Sequence, residues 1–352
     1  MSQQFRASAA ISASWSDGHL LLENHLAPSL VRCPNHFLRL VEALQEWRTL
    51  AELVMVLGLS DSDELEQSLL VFCDAGLVHR DPDEFEAERR LAEAWGDELT
   101  AARKFHWSTR DAPFGQVSAE EIAQLFDRPQ PASYKTLTDP VVQQLPPPEL
   151  VPMPLDQSLR KRRTVRVHAE DEVPLAALST LIYYTWGQTG FRDGGAFGPL
   201  VAKTSPSGGS RHSIECYLIA QRVEDVPTGI YHYSVAEHRL ERVAGLPDTD
   251  LLETFGQQEW VRDAPAIFVM TSVFDRVFWK YRFSRSYRVI TLDAGHLGQT
   301  FSLVATALGL GPGTTAAFKD SAIENLLNID GITEGAIYVA VVGKPGQSRD
   351  GG

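Results

Sequence analysis

The chain has 352 residues, 43% of them hydrophobic, and a formal net charge of -14. That balance suits one large folded domain plus a smaller one and argues against a sequence-independent grip on nucleic acid or anionic lipid, both of which repel such a molecule. Cys33, Cys73 and Cys216 lack the spacing of a zinc site or disulfide framework, no apolar run reaches the ~18 residues of a membrane helix, and no signal pattern opens the chain, so a cytoplasmic protein without metal is expected.

In chain order, residues 11–23 place Asp17-Gly18 between apolar stretches, the pattern of a tight hairpin. Helical spacing follows over His36–Trp47, with Phe37, Leu40, Val41 and Leu44 on one face. It continues over Leu50–Leu57 up to Gly58, and over Asp61–Ala75, with Leu65, Leu69 and Phe72 inward and Gly76 as C-cap. Together with the apolar return Leu77-Val78-His79 these elements describe a winged-helix-like domain over residues 1–86. No Lys or Arg lies between Leu57 and Asp74, whereas Asp61, Asp63, Glu64 and Glu66 open the third helix. Phosphates would be repelled there; recognition of an extended peptide by strand addition and plain partner docking stay open.

Residues 83–105 read as one connecting helix, and Ala112–Pro154 as a Pro-rich linker with a short helix at Ala119–Phe126, giving a connector over 87–157. From 158 to 346 the pattern is that of an α+β domain. Helices are expected at Leu175–Tyr184 and at Ala294–Leu308, the latter with Leu297, Phe301, Val304 and Leu308 on one stripe. Strands are expected at Ile214–Ala220, Pro265–Val273 and Ala336–Gly343, with a hairpin from GIYHYSV and HRLERV.

Two segments carry chemistry in their residue types. In RKRRTVR, Arg160 to Arg166, the cations Arg162 and Arg166 flank the Thr164 hydroxyl at what reads as the beginning of a helix, a compact anion site; a solvated basic face is the alternative. In SPSGG, Gly208 and Gly209 permit close approach of backbone to a flat ligand, although an ordinary turn has the same composition. No nucleophile elbow, P-loop, dinucleotide fingerprint or metal-ligand cluster is present in the sequence, which sets hydrolases and kinases aside.

The order RRTVR, SPSGG, GIYHY, WKYRFSRSYR, LDAGHLGQTFSLVATALGLG and VVGKP resembles the SagB-type, thiazoline-oxidase branch of the nitroreductase superfamily of FMN enzymes, from Leu159 to Pro345. The resemblance implies a central, mainly antiparallel sheet flanked by helices, and a homodimer with FMN at the subunit interface. It assigns Arg162, Thr164 and Arg166, with Arg163 inside the motif, to the FMN phosphate and ribityl chain; Lys344, just after the final strand, reads either as a further phosphate ligand or as an exposed terminal lysine. Pro206, Ser207, Gly208 and Gly209 fall beside the isoalloxazine ring, and Ala316-Ala317 stand where many members carry Gly-Gly. Lys280-Tyr281 matches the proton-abstracting pair of azoline-oxidising members. A lysine serves as that base only when burial and nearby cations lower its proton affinity, a part the resemblance gives to Arg276, Arg285 and Arg288. His296, which with Asp293 opens the long helix, reads as a packed, structural residue. The implied activity is FMN-dependent oxidation of azoline rings in a ribosomally made precursor peptide, with the N-terminal module recruiting that peptide or a cyclodehydratase partner. An NAD(P)H-driven nitro or quinone reductase and a noncatalytic peptide-binding scaffold are the alternatives.

Overall fold

The computed structural model describes residues 3–27, 29–112, 118–248 and 250–347, and the chain divides into two units, Met1–Phe114 and Gly115–Gly352. The first unit runs β1 (Gln4–Ala7), β2 (Ile11–Ser16), β3 (His19–Asn24), β4 (Ser29–Cys33), α1 (Phe37–Ala43), β5 (Arg48–Thr49), α2 (Leu50–Leu57), α3 (Asp63–Asp74), β6 (Val78–His79), α4 (Pro82–Glu93) and α5 (Thr100–Ser108). β1 pairs antiparallel with β5 and β6, while β2, β3 and β4 form a separate antiparallel meander. The expected hairpin turns at Asp17 and Gly18, both with positive φ, as a tight two-residue connection requires. Leu20, Leu22, Leu44, Leu53 and Leu69 form the floor of this core with no exposed surface.

Local rules were overridden twice in this unit. α1 stops at Ala43 rather than Trp47, because the Leu44 carbonyl accepts from the Ala7 N–H at 2.8 Å and Arg48 Nε caps the Ala43 carbonyl at 2.8 Å. The single helix expected over 83–105 is broken into α4 and α5: Gly96 takes a φ of +70°, a left-handed residue that ends a helix. Trp95 then folds against His106 and Trp107, with ring centroids 5.2 and 5.1 Å away.

The second unit contains α6 (Ala119–Leu125), β7 (Val142–Gln144), α7 (Leu155–Lys161), α8 (Leu175–Trp186), β8 (Gln188–Asp193), β9 (Pro199–Lys203), β10 (Ile214–Ala220), β11 (Gly229–Ser234) and β12 (Arg239–Ala244). It continues with α9 (Glu259–Arg262), β13 (Ala266–Val273), α10 (Asp275–Phe278), α11 (Ser286–Ala307), β14 (Gly311–Thr315), α12 (Asp320–Leu327) and β15 (Glu334–Gly343). Seven strands, in the order β14-β15-β13-β10-β11-β12-β7, make one sheet in which every neighbouring pair is antiparallel. Side chains alternate between faces along a strand, and here both faces are buried, which is why the central strands read as unbroken apolar runs. Cys216, Leu218, Phe268 and Met270 meet α8 and α11 on one face; Tyr217, Ile219, Ile267 and Val269 meet Leu251, Phe255, Ile323 and Leu327 on the other.

α11 spans 22 residues and begins eight positions before the expected Ala294. Its first turns bury Ser286, Ile290 and Asp293, and the polar members of that set hide the apolar stripe from a hydropathy reading. The Pro-rich segment lies along the second unit. β7 pairs with β12, the Ala132 carbonyl accepts from Arg276 Nε at 2.8 Å, and the Arg128 carbonyl accepts from Trp279 Nε1 at 3.1 Å. Its portion at 113–117 lies outside the described residues. Among the described residues no helix is long and apolar enough to cross a membrane.

Candidate functional site

The loop between β9 and β10 is built by its own polar side chains. Ser205 Oγ donates to the Thr185 carbonyl at 2.8 Å. Ser207 Oγ donates to Asp293 Oδ2 at 2.5 Å and accepts from the His212 N–H at 2.9 Å, while the Gly208 N–H donates to Asp293 Oδ1 at 3.1 Å. Asp293, expected with His296 to open the long helix, sits inside α11 and clamps the loop. Burial pushes its carboxyl up, against the pull of the Ser207 and Gly208 donors. Its neighbour His296 is exposed rather than packed.

Both glycines are sterically required. A Cβ on Gly208 would overlap Val289 Cγ1, and one on Gly209, whose φ is +62°, would overlap the Tyr281 hydroxyl. Gly209→Ala is therefore expected to lose about 1–2 kcal/mol from the left-handed backbone alone and to displace Tyr281. Thermal unfolding together with bound-flavin absorbance checks this: unchanged values of both would mean that the loop and Tyr281 are not in contact.

Lys280 and Tyr281 follow α10, with the Tyr281 N–H donating to the Val277 carbonyl at 2.9 Å. Trp279, with no exposed surface, anchors the segment. Lys280 Nζ stands 4.4 Å from the Phe197 ring centroid and 5.4 Å from that of Tyr281. Burial, and after it the Arg211 charge, hold the Lys280 amine below the usual lysine range. Burial pushes the Tyr281 phenol up; Arg211 draws it down and Asp293 raises it further. The nearby cation is thus Arg211, and one of those expected, Arg276, is engaged elsewhere, by Glu215. Behind the loop a small cavity is lined by Thr185, Lys203, Ser207, His212, Asp293 and Leu297 among others. Burial pushes the Lys203 amine down to about 8 and the His212 ring down to about 4, the latter assisted by Lys203.

The basic run is placed differently from expectation. α7 ends at Lys161 and Arg162 is its C-cap, so the run leaves the C-terminal end of a helix and gains nothing from a helix N-terminus. It stays extended because its backbone is paired: the Val165 N–H donates to the Pro312 carbonyl at 2.8 Å, the Ala169 N–H to the Lys344 carbonyl at 2.9 Å, and the Gly346 N–H to the Val167 carbonyl at 2.8 Å. Arg163 turns back onto the Arg160 and Arg162 carbonyls. Arg166 lies over the Trp260 ring at 5.6 Å, and Lys344 Nζ pairs with Asp171 at 3.0 Å. The Ala317 carbonyl accepts from Gln258 Nε2 at 2.5 Å, and Gln258, Trp260 and Arg166 line one open groove. The structure therefore gathers Arg166, Lys344 and the Ala316-Ala317 loop around the β14–β15 edge. It gathers Ser207, Gly208, Gly209, Lys280 and Tyr281 against α11.

Asp293, Arg211, Phe197 and Trp279 belong to the second group without having been picked from sequence. The signal available for Arg211 was its place in SPSGGSRH, two residues beyond a glycine.

The nitroreductase family pattern matches residues 159–344. Trifolitoxin-processing protein TfxB of Rhizobium leguminosarum bv. trifolii is 27% identical over 321 residues, 85% of each chain. Microcin B17-processing protein McbC of Escherichia coli is 29% identical over 149 residues, 41% of this chain and 54% of that one. A crystal structure of a nitroreductase-type protein from Anabaena variabilis aligns with a TM-score of 0.51 at 24% identity over 68% of this chain and 45% of its own, a likeness of fold that spans less than half of that protein.

Proposed function

Starting from a chain that belongs to the nitroreductase family, whose members bind FMN, we propose an FMN-dependent dehydrogenase that oxidises azoline rings in a ribosomally made peptide. The observation that carries the reading is Tyr281 packed against the Gly209 loop, with the adjacent Lys280 over its ring and the lysine amine held below its ordinary range. The processing roles in the names of TfxB and McbC support a peptide as substrate.

The residues fit the cofactor. The side chains of Arg162, Thr164 and Arg166 make no hydrogen bond or ion pair with a described residue, so two cations and a hydroxyl are available to a phosphate. The Gly208-Gly209 loop carries no side chain that would stand between its backbone and a flat ring. FMN, when bound, supplies the acceptor for a hydride. The chain's own part is acid–base chemistry. The neutral Lys280 amine takes the α-proton, Tyr281 orients the ring through its phenol, and Asp293 fixes the loop that both face.

A homodimer belongs to this reading: the phosphate-binding group sits on the β14–β15 edge and the loop group on α11, and a second copy would complete each pocket. So does a peptide-docking role for the first unit, with a precursor peptide or a cyclodehydratase as its partner. There, Phe37, Leu40, Leu57, Leu59 and Leu65 line a pocket of about 260 Å³, sized for apolar side chains.

The test is anaerobic incubation of the purified, yellow protein with a thiazoline-containing peptide. Loss of two hydrogens from the peptide, with bleaching of the flavin, is expected. Reduction of nitro compounds or quinones by NAD(P)H without peptide oxidation would move the protein to the reductase reading, and a colourless protein that takes up no FMN would sink both. Arg166→Ala is expected to weaken FMN binding about 10- to 100-fold, the value of one charge-assisted contact, as read by flavin-fluorescence titration.

A further inference from the structure

Arg211 is a charge that the fold buries without matching. It is 3% exposed, its Nε and Nη1 are sealed from solvent with no acceptor, and the side chain makes no hydrogen bond or ion pair with any described residue. Buried cations are ordinarily paired, because the loss of hydration is otherwise uncompensated. Arg276, equally buried, shows the ordinary pattern: it is held by Glu215 and by the Ala132 and His212 carbonyls.

The place of this unmatched cation is informative. Its N–H bonds to the Gly208 carbonyl at 3.3 Å, so it is fixed to the glycine loop. Its guanidinium lies 5.6 Å over the Trp279 ring, the residue preceding Lys280. Lys280, Tyr281, His212 and Arg276 all lie within its field, while Asp293 acts on Tyr281 and Lys203 on His212. The Trp279 ring lies under one face of the guanidinium, and Nη2, the one nitrogen of the three that is not sealed, is left to an oxygen acceptor.

We propose that Arg211 is the oxygen-binding group of this site, receiving the amide carbonyl oxygen next to the carbon from which Lys280 removes a proton. The identity of that carbon rests on the azoline reading above; the oxygen acceptor rests on the geometry alone. In the step, the α C–H bond breaks and its proton passes to the Lys280 amine. The electron pair left behind is shared with the carbonyl oxygen, where the guanidinium holds the developing charge. Flavin, when bound, would be the oxidant that takes the hydride from the neighbouring ring carbon, leaving a carbon–carbon double bond. Arg211 also couples binding to base strength. Without substrate its charge helps keep Lys280 unprotonated, and an oxygen seated on it weakens that field, so the amine becomes a stronger base once substrate is in place.

The test uses full-length, FMN-loaded protein and acetate as the oxygen probe. The pH dependence of Lys280 labelling by 1-fluoro-2,4-dinitrobenzene is followed by peptide mass mapping at constant ionic strength. In the wild type, acetate is expected to move the Lys280 midpoint up saturably, by about one pH unit. In Arg211→Gln the midpoint starts high and does not respond. No response in the wild type, or an equal response in the variant, overturns the proposal, and the wild-type titration decides alone if the variant does not fold. A response confined to flavin-stripped protein assigns Arg211 to a flavin oxygen and overturns the substrate role. A normal acetate response from a protein that leaves thiazoline peptide unchanged sinks the azoline reading and keeps the oxygen site.

Discussion

Lys280→Ala is expected to lower kcat for peptide dehydrogenation by about 10²- to 10⁴-fold, the usual worth of a positioned base, while FMN content stays at the wild-type level. The separation follows from placement. Lys280 contacts the Phe197 and Tyr281 rings, whereas the cations offered to the phosphate, Arg162 and Arg166, leave α7 beside β14. Lys280→Arg should be equally inactive, because a guanidinium does not give up its proton in a protein. Tyr281→Phe tests the division of labour: if the phenol only orients the ring, activity falls less than with Lys280→Ala, and the reverse ranking would transfer the base to Tyr281.

The same assignment fixes the sign of the pH dependence. The reactive form is the neutral amine, so kcat/KM rises with pH through the Lys280 midpoint and levels off above it. Burial and Arg211 place that midpoint below the usual lysine value, about 10.4, and move the rising limb toward neutrality. A profile that falls across this range would show that the protonated amine is the working form and would sink the base assignment.

The parts legible in sequence were those governed by short-range rules. The β10, β13 and β15 runs are apolar on both faces, and the Asp17-Gly18 turn and the Gly58 and Gly76 caps follow from backbone sterics. What was not legible depended on tertiary partners. Nothing near Arg162 in sequence shows that Pro312 and Lys344 will pair its neighbours and keep the run extended. Nothing in LDAGHLGQT separates Asp293, which faces the loop, from His296, three positions on and exposed; only packing of α11 against the loop does so. The source of the lowered Lys280 amine was likewise sought in the adjacent arginines. The field comes from Arg211, 69 positions earlier in the chain, because β10 and α10 lie side by side through the Arg276–Glu215 pair.

That pair is the basis of the largest expected stability effect. Glu215 is 4% exposed on β10, with Oε1 on Arg276 Nη1 and Oε2 at 2.7 Å from His232 Nε2. Glu215→Ala leaves an arginine 3% exposed and a histidine 1% exposed without the carboxylate they share, and is expected to lower unfolding free energy by about 3–5 kcal/mol. Arg276 Nη1 also holds the His212 carbonyl at 3.1 Å, and the His212 N–H holds Ser207, so the glycine loop should loosen as well. Replacing both partners, Glu215→Met with Arg276→Met, should restore part of the stability, since neither buried charge is then left alone, but not the loop. Burial by itself would raise the Glu215 carboxyl; Arg276 and His232 outweigh it and hold the group below the usual carboxylate range. A depressed folded value gives a contribution fully present above the unfolded value, about 4.3, and lost as pH falls through the folded one. The gap between wild type and Glu215→Gln in urea unfolding should therefore be wide at neutral pH and narrow below about pH 4. A gap that stays constant down to acid would mean that the carboxylate charge contributes nothing to holding β10 against α10.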